Sequence, residues 1–345
     1  MPPSLPAALA LLSAALVSWG ACRWLIPASR RWGLMDEPNE RSSHRHPTPR
    51  GGGAAIMAGT LLGWLAGGGA AAWRGILPLA AGALVLGAVG LWDDLRGDIG
   101  PLPRLLLQTG LAAAIVLLWG GMQVLPFPSP FDLAVEFWGV PLAILWIVGV
   151  VNLYNFLDGI DGYAGTQTIA AVWVFLLALR PAPPLWVLGM ALTGACAGFL
   201  YFNWHPARLF MGNSGSYSLG FLLAAMPFVL PASERSAGIF AMAMGLWFFL
   251  SDGTFTLLRR ALKGERVWRA HRSHLYQRLN ASGLAPDRIV PAFLAALLPL
   301  GLLTVWALRS TPRRPGWAPL AYAFAILAAA WAWTALRERT AARRP

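Results

Sequence analysis

Long apolar runs follow one another along almost the whole chain of 345 residues, and they constrain its fold more than any other feature. A run of about 20 apolar residues is long enough to cross a bilayer as one α-helix. The sequence therefore predicts an all-α, polytopic integral membrane protein with about 11 transmembrane helices, or 10 if two neighbouring runs are joined. The runs cover residues 5–27, 53–73, 76–92, 103–120, 137–157, 163–179, 184–203, 216–232, 236–258, 288–308 and 317–336.

Composition agrees with a membrane protein, because 57% of the residues are hydrophobic and only 12% are charged. A soluble domain is about a quarter charged. Both cysteines, Cys22 and Cys196, lie in apolar runs and are interpreted as small hydrophobic residues. No Lys or Arg precedes Arg23, so the first run lacks the basic region of a secretory signal peptide, and we expect it to be retained as a helix.

Basic residues are concentrated on one set of connections between the runs. The other face carries only six of the 27 Lys and Arg, so the positive-inside rule predicts that the richer face is cytoplasmic. We assign the net charge of +12 to the membrane faces and their contacts with membrane lipids, rather than to nucleic acid. The richer face comprises the C-terminal tail and connections 28–52, 93–102, 158–162, 204–215 and 259–287.

Polar residues recur at steps of three along residues 152–162, at the end of an apolar run. Residues three apart are neighbours on a helix, so these side chains are predicted to form one polar wall. Such residues are costly in a membrane segment and are functional candidates by default, whereas the alternative is a polar helix end in loop water. They are Asn152, Asn155, Asp158 and Asp161.

Adjacent carboxylates, Asp93 and Asp94, follow another apolar run. They repel each other unless a cation or a proton relieves the repulsion. Because the motifs supply oxygen ligands and lack a Cys/His cluster of zinc spacing, we expect Mg²⁺, with Mn²⁺ as the other candidate. The alternative is an exposed acidic turn that pairs with Arg96 and Arg104.

Two Gly-rich segments suggest phosphate binding. Residues 47–53, Pro-Thr-Pro-Arg-Gly-Gly-Gly, would let backbone amides approach a phosphate that Arg41, Arg45 and Arg50 neutralise. Residues 212–216, Gly-Asn-Ser-Gly-Ser, precede a helix and are typical of a phosphate cradle at a helix N-terminus. The alternatives are a basic loop touching anionic lipids and ordinary N-capping.

The largest connection contains His-Arg-Ser-His at residues 271–274. Two imidazoles with a guanidinium between them suit an anionic group, whereas the alternative is a basic patch against lipid. Leu275, Tyr276 and Leu279 follow at helical spacing, which predicts an amphipathic helix lying against the membrane.

In this order and on one face, the motifs resemble the polyprenyl-phosphate N-acetylhexosamine-1-phosphate transferase family over most of the chain. The resemblance implies a single transmembrane catalytic domain over residues 1–345 that binds a UDP-N-acetylamino sugar, Mg²⁺ and undecaprenyl phosphate. The lipid phosphate would attack the sugar-linked phosphate and release UMP. The motifs that carry the resemblance are residues 47–53, 93–94, 152–162, 210–212, 215–216, 271–274 and 276–277.

The resemblance also implies roles for individual residues. Catalytic roles in metal binding, acceptor activation, or nucleotide and phosphate positioning fall to Asp93, Asp94, Asp158, Asp161, His271 and His274. The implied metal ligands are Asp93, Asp94, Asp158 and Asn213. The implied substrate-binding residues are Asn152, Asn155, Arg50, Arg104, Arg272, Gly212 and Ser214.

One position departs from the family pattern, because Asn213 stands where the family usually has a metal-binding Asp. We hypothesise weaker Mg²⁺ binding, with compensation by the remaining carboxylates. Residues 43–46 and 271–274 favour enzymes that initiate O-antigen or related surface glycans over the peptidoglycan translocase. Alternatives are a secondary transporter, which usually has repeats and midplane sites, or a lipid-binding scaffold. We expect a bacterial inner-membrane protein with its site facing the cytoplasm, and we leave open whether it is a homodimer.

Overall fold

The computed structural model describes residues 5–38, 46–68, 73–97, 99–266, 271–311 and 314–342. Arg41 and Arg45, which we expect to neutralise phosphates, lie outside the described residues.

Almost all of the described regular structure is helical, as predicted. One two-stranded sheet is present in these residues, where β1 (Met35–Asp36) pairs antiparallel with β2 (Thr48–Pro49). Short 3-10 helices cover Glu136–Trp138, Met226–Val229 and Ala232–Glu234. The α-helices are α1 (Leu5–Trp32), α2 (Gly52–Ala66), α3 (Trp73–Arg96), α4 (Pro101–Trp119), α5 (Gly139–Leu157), α6 (Tyr163–Leu179), α7 (Pro183–Asn203), α8 (Gly212–Ala225), α9 (Arg235–Gly245), α10 (Trp247–Leu262), α11 (Leu275–Ala281), α12 (Pro286–Ser310) and α13 (Trp317–Ala341).

Seven helices in the described part of the chain are long and apolar enough to cross a membrane. The number becomes eight if Gly212–Val229 and Ala232–Gly245, which are bent by 120° to each other, count as one span. Helices α2 and α6 are apolar but shorter. The chain is therefore a multi-pass membrane protein, and the predicted count of 10–11 spans is not confirmed.

Two of the predicted runs are interrupted. The run 236–258 is divided at Leu246, between α9 and α10. The run 216–232 changes from α8 to a 3-10 turn at Met226, beside Pro227, which has no N–H to donate within a helix. The prediction of one continuous helix in each run is wrong, because apolarity alone carries no signal for a local break.

The core lies around α7, where 78% of the apolar stretch is buried, compared with 22% for α4. The rings of Phe175, Phe199 and Phe221, on α6, α7 and α8, are fully buried, and they lie close to Gly238, Gly52 and Gly82 of neighbouring helices. The outer helices expose large apolar side chains instead, such as Leu106 and Leu117 on α4. A broad apolar surface of this kind is suited to contact with lipid.

Connections at one end of the bundle are tied together by donors to backbone carbonyls. Arg235 at the start of α9 donates to the carbonyl of Trp119 at the end of α4. The indole of Trp317 at the start of α13 donates to the carbonyl of Ser129 over 2.9 Å. The connections that carry the sequence motifs lie at the opposite end of the bundle.

Candidate active site

Five connections carrying the sequence motifs contact one another at this second end of the bundle. They follow α1, α3, α5, α7 and α10, so helices far apart in sequence contribute to one cleft. The contacts that join them are Arg50 to Asp94, Asn213 to Asp94, His205 to Asp161, and Tyr276 to Phe156.

Asp94 is buried at the end of α3 and holds the start of α8. Its Oδ1 accepts the backbone N–H of Asn213, and its Oδ2 accepts that of Ser214, each over 3.2 Å. Gly212 has a φ of +75°, and a Cβ there would lie 2.5 Å from Oδ2 of Asp94. The amides expected to cradle a phosphate therefore bind a carboxylate of the protein itself. Substrate binding by Gly212 and Ser214 stays a prediction.

Asp93 is also buried and is held by three donors. Its Oδ1 accepts the backbone N–H of Ile99 over 2.7 Å. Its Oδ2 accepts Nδ2 of Asn213 over 3.0 Å and lies 3.5 Å from Nη1 of Arg104. Arg104 also donates to the hydroxyl of Tyr217 over 2.8 Å. Donors from three elements thus relieve the repulsion between the adjacent carboxylates.

The polar wall predicted along residues 152–162 divides into two parts. Asn155 donates to Oδ1 of Asn213 over 3.0 Å and to the hydroxyl of Ser216 over 2.7 Å. Asn152 instead donates to Oε1 of Gln108 on α4 over 2.6 Å. Asn155 therefore belongs to the carboxylate cluster, whereas the structure engages Asn152 in a helix-helix contact.

Asp158 ends α5, and its carboxylate differs from the others. Within the residues that the structure describes, no donor reaches its side-chain oxygens. Burial, together with the negative charges of Asp94 and Asp36, raises the pKa of Asp158 to about 7. Asp36 on β1 is not among the residues selected from the sequence. This carboxylate is the one most in need of a cation.

The donor set of the site fits Mg²⁺. Described His, Cys, Asp and Glu side chains form no group of three arranged around a metal position. Mg²⁺, however, usually keeps several waters and is bound by one or two carboxylates together with substrate phosphates. Of the four predicted ligands, Asp93, Asp94 and Asn213 already accept N–H donors, so Asp158 is the predicted ligand whose oxygens no described donor reaches.

Asp161 is buried and fastens the connection between α7 and α8. Its Oδ2 lies 2.6 Å from Nδ1 of His205 and accepts the backbone N–H of Ala207 over 3.1 Å. The imidazole of His205 is about one-third exposed, at 34%. Sequence reasoning did not select His205, because nothing in the spacing pairs a His with a carboxylate 44 residues earlier.

Arg50 and its neighbouring glycines hold the cleft together. Nη2 of Arg50 donates to the backbone carbonyl of Asp94 over 2.8 Å, while its buried Nε meets no acceptor among the described residues. The amides of Gly52 and Gly53 donate to the carbonyls of Phe210 and Met211 rather than facing open space. The glycine run is therefore explained by backbone packing.

His271 is a neutral group that can donate from one ring nitrogen. Its Nδ1 lies 3.4 Å from the backbone N–H of Ser273, which donates to it, so the hydrogen is on Nε2. Burial, followed by electrostatic interactions with His274 and Arg260, lowers the pKa of His271 to about 4. At neutral pH the exposed Arg272 therefore carries positive charge in this motif, and His271 does not.

Asp252 on α10 anchors the His-containing connection and was missed from the sequence. It is fully buried, and its oxygens accept the backbone N–H of Leu275 over 3.0 and 2.9 Å. Its Oδ1 also lies 3.6 Å from Nδ1 of the buried His274. A lone carboxylate inside an apolar run was the available signal, since such residues are functional candidates.

Helix α11 packs on protein rather than lying against the membrane. Leu275, Tyr276 and Leu279 are each at most 1% exposed, so the prediction of a membrane-lying helix is wrong. The Tyr276 hydroxyl donates to the carbonyl of Phe156 over 3.3 Å, and a Cβ on Gly159 would lie 2.0 Å from that hydroxyl. The spacing of apolar residues revealed the buried face but not what covers it.

Comparison with known proteins identifies a consistent group of relatives. Residues 76–230 match the family described as "Glycosyl transferase family 4". The Bacillus subtilis protein named "Probable undecaprenyl-phosphate N-acetylglucosaminyl 1-phosphate transferase" is 31% identical, over 73% of this chain and 71% of that protein. A Mycolicibacterium smegmatis "Decaprenyl-phosphate N-acetylglucosaminephosphotransferase" is 30% identical, over 93% and 86% of the two chains. A Synechococcus "Phospho-N-acetylmuramoyl-pentapeptide-transferase" is 33% identical, over 82% and 87%.

Proposed function

This chain belongs to the polyprenyl-phosphate N-acetylhexosamine-1-phosphate transferase family, and from that premise we propose the reaction it catalyses. It transfers an N-acetylated amino-sugar 1-phosphate from a UDP-sugar to undecaprenyl phosphate, giving undecaprenyl-diphospho-sugar and UMP. The step initiates O-antigen or another cell-surface glycan at the cytoplasmic face of a bacterial inner membrane. Two relatives are named for N-acetylglucosamine, which makes it the first donor to test, followed by N-acetylfucosamine and N-acetylquinovosamine.

The observation that carries the proposal is the carboxylate of Asp158. It is the open oxygen ligand of the cleft, with Asp94 and Asp36 close enough to raise its pKa. A site with unrelieved negative charge that also contains Arg50 is suited to a cation and a diphosphate together.

Charge neutralisation is the main requirement of the reaction. An oxygen of the acceptor phosphate forms a bond to the sugar-linked phosphorus, and the bond from that phosphorus to the bridging oxygen breaks, so UMP leaves. A phosphate monoester has a second pKa near 6, so at neutral pH the acceptor is mostly a dianion. It therefore needs no general base, and phosphoryl transfer depends on positioning and on stabilising the developing charge.

Different residues of the cleft would neutralise charge and position the substrates. Mg²⁺ bound through Asp158 would supply positive charge to the phosphate oxygens. Arg50, held against Asp94, would add positive charge to the cleft, and the exposed Arg272 of the His-containing connection would supply a second guanidinium. Neutral His271 donates from Nε2 without repelling the cation. Asp161 and Asp252 act by positioning the connections that carry His205 and His274.

A second donor class is favoured by one observation, the similarity to phospho-N-acetylmuramoyl-pentapeptide-transferases at 33% identity. A UDP-muramoyl-pentapeptide therefore belongs in the same assay. A secondary transporter is less suited to the geometry, because the carboxylates cluster at helix ends rather than at broken helices near the midplane.

The test is turnover by the purified protein with undecaprenyl phosphate, Mg²⁺ and a panel of UDP-sugars, with UMP and lipid-linked sugar measured. We expect one UDP-N-acetylamino sugar to be used. Asp158→Asn should lower the rate by about 100-fold or more, the scale for losing a key electrostatic group. Asp132→Asn, at the other end of the bundle, is the matched control and should leave the rate unchanged. Absence of turnover with every donor, or full activity of Asp158→Asn, would contradict the proposal.

A further inference from the structure

An apolar groove of about 420 Å³ runs along the outer surface between α6 and α12. It lies outside the cleft described above, and none of its lining residues is charged. Two of its lining residues, Leu298 and Leu302, are strongly exposed, with 65% and 61% of their surface accessible. The stripes that form the groove are Ala170, Trp173 and Leu177 on α6, with Leu298, Leu302 and Val305 on α12.

Each apolar stripe ends in an arginine at the same end of the bundle. Arg309 continues the stripe of Leu302 and Val305 at helical spacing, and Arg180 immediately follows α6. Arg309 donates to the carbonyl of Leu177, which brings it to the last turn of α6, and the two positive charges act on each other. Neither arginine forms an ion pair with an acidic side chain in the described part of the chain.

The backbone at Arg180 gives a second, independent indication. Arg180 caps α6 with φ 47° and ψ 57°, the left-handed conformation that helix ends usually reserve for Gly or Asn. A bulky residue is strained there, and a strained position retained in a fold points to a role for its side chain. Here that side chain is the cationic guanidinium of Arg180, which lies beside the second cation, Arg309.

The length of the groove matches one leaflet of a bilayer. From Leu294 to Val305 the helix axis rises about 16 Å, whereas the whole hydrocarbon core is about 30 Å thick. Arg309 lies one turn beyond Val305, at the end of the apolar span, where a lipid headgroup would be. The groove thus has about the length of one leaflet and a doubly positive end.

We propose that this groove binds an anionic glycerophospholipid, with one acyl chain between α6 and α12 and the phosphate between Arg180 and Arg309. An anionic headgroup is required because the cationic group of a zwitterionic headgroup would place a third positive charge beside the two arginines. The acceptor of the proposed reaction is a different molecule, since its phosphate must reach Asp158 at the opposite end of α5 and α6 from Arg180.

The test compares phosphatidylglycerol and phosphatidylcholine of identical acyl chains, binding to the full-length protein in neutral detergent by native mass spectrometry. Each arginine near an anionic headgroup should contribute about fivefold, so the parent should prefer phosphatidylglycerol by roughly 25-fold. Arg180→Gly with Arg309→Gln should abolish that preference. Gly relieves the left-handed backbone at 180, so unchanged or raised thermal stability would exclude unfolding as the cause.

Control variants and a second lipid test whether the phospholipid binds in this groove. Arg314→Gln removes a charge at the same end but outside the groove, and the preference should persist. Ala295→Phe fills the groove and should weaken binding of both phospholipids. Undecaprenyl phosphate should bind the double variant as tightly as it binds the parent. Equal binding of the two phospholipids by the parent, an unchanged preference in the double variant, or a parallel loss of undecaprenyl phosphate would each overturn the proposal.

Discussion

Nδ2 of Asn213 donates to Oδ2 of Asp93 over 3.0 Å, and Oδ1 of the same amide accepts from Asn155. The amide is therefore satisfied on both sides without a cation. A carboxylate at this position would accept from Asn155 but would face Asp93 with a like charge, which is unfavourable unless a proton or a metal intervenes. With Asn213, this part of the cleft therefore depends less on a bound metal than it would with Asp at the same position.

The first prediction concerns Asn213→Asp. We expect the variant to be less stable than the parent in EDTA, and to regain stability on adding Mg²⁺ by more than the parent does. Half-maximal transfer should also require less Mg²⁺. Asn152→Asp is the control, because Asn152 contacts Gln108 and not Asp93. Identical Mg²⁺ dependence of thermal stability and turnover in parent and Asn213→Asp would show the idea to be wrong.

The second prediction concerns the pair formed by Asp161 and His205, which lie 2.6 Å apart. Asp161→Asn and His205→Gln should each lower the free energy of unfolding by about 2 kcal/mol, the scale for a hydrogen bond to a charged group. The double variant should lose little more than either single variant, because both remove one contact. Thermal unfolding in detergent measures the loss of stability, and the KM for the UDP-sugar reports whether the connection is displaced. Fully additive losses would mean that the two residues act separately.

The third prediction is a pH dependence arising from His271. Its pKa is lowered to about 4 in the fold from an ordinary 6.5, mainly by burial. Below pH 6.5 the unfolded chain binds a proton that the folded chain does not, so this contribution to stability is present above pH 6.5 and is lost as the pH falls toward 4.

Thermal midpoints of the parent and His271→Gln, measured from neutral pH down to about 5, test this contribution. The parent should lose several degrees more than the variant as the pH falls. His46→Gln, an exposed His on another connection, is the control and should follow the parent. Parallel curves for the parent and His271→Gln would rule out the proposed linkage.

Part of the site could be predicted from the sequence, because the polar motifs fall on alternate connections between the apolar runs. Alternation of apolar runs grouped Asp94, Asp158 and Asn213 on one face, and in the structure the connections bearing them contact one another. Alternation does not depend on the exact bounds of any helix. The grouping therefore survives the break at Leu246, because α9 and α10 still bring the chain back to the same end.

Other features required three-dimensional contacts that a sequence does not contain. Gly-Asn-Ser-Gly-Ser suggests a phosphate cradle because the donors are visible in the sequence, whereas their acceptor, Asp94, is about 120 residues away. Asp252 was hidden because one carboxylate hardly changes the apolarity of its run. A left-handed Arg180 leaves no trace in composition or periodicity.

The last prediction separates packing from phosphate binding in the glycine run of residues 51–53. A Cβ on Gly53 would lie 2.0 Å from the backbone nitrogen of Gly215, a contact that no side-chain rotation relieves. Gly53→Ala should therefore push α2 from α8 and lower stability by about 1–3 kcal/mol or more, with loss of transfer. Gly110→Ala on α4, where a Cβ meets nothing within 4 Å, should be neutral or slightly stabilising. If the amide of Gly53 served the substrate instead, Gly53→Ala would raise the KM for the UDP-sugar at unchanged thermal stability, and that result would refute the packing explanation.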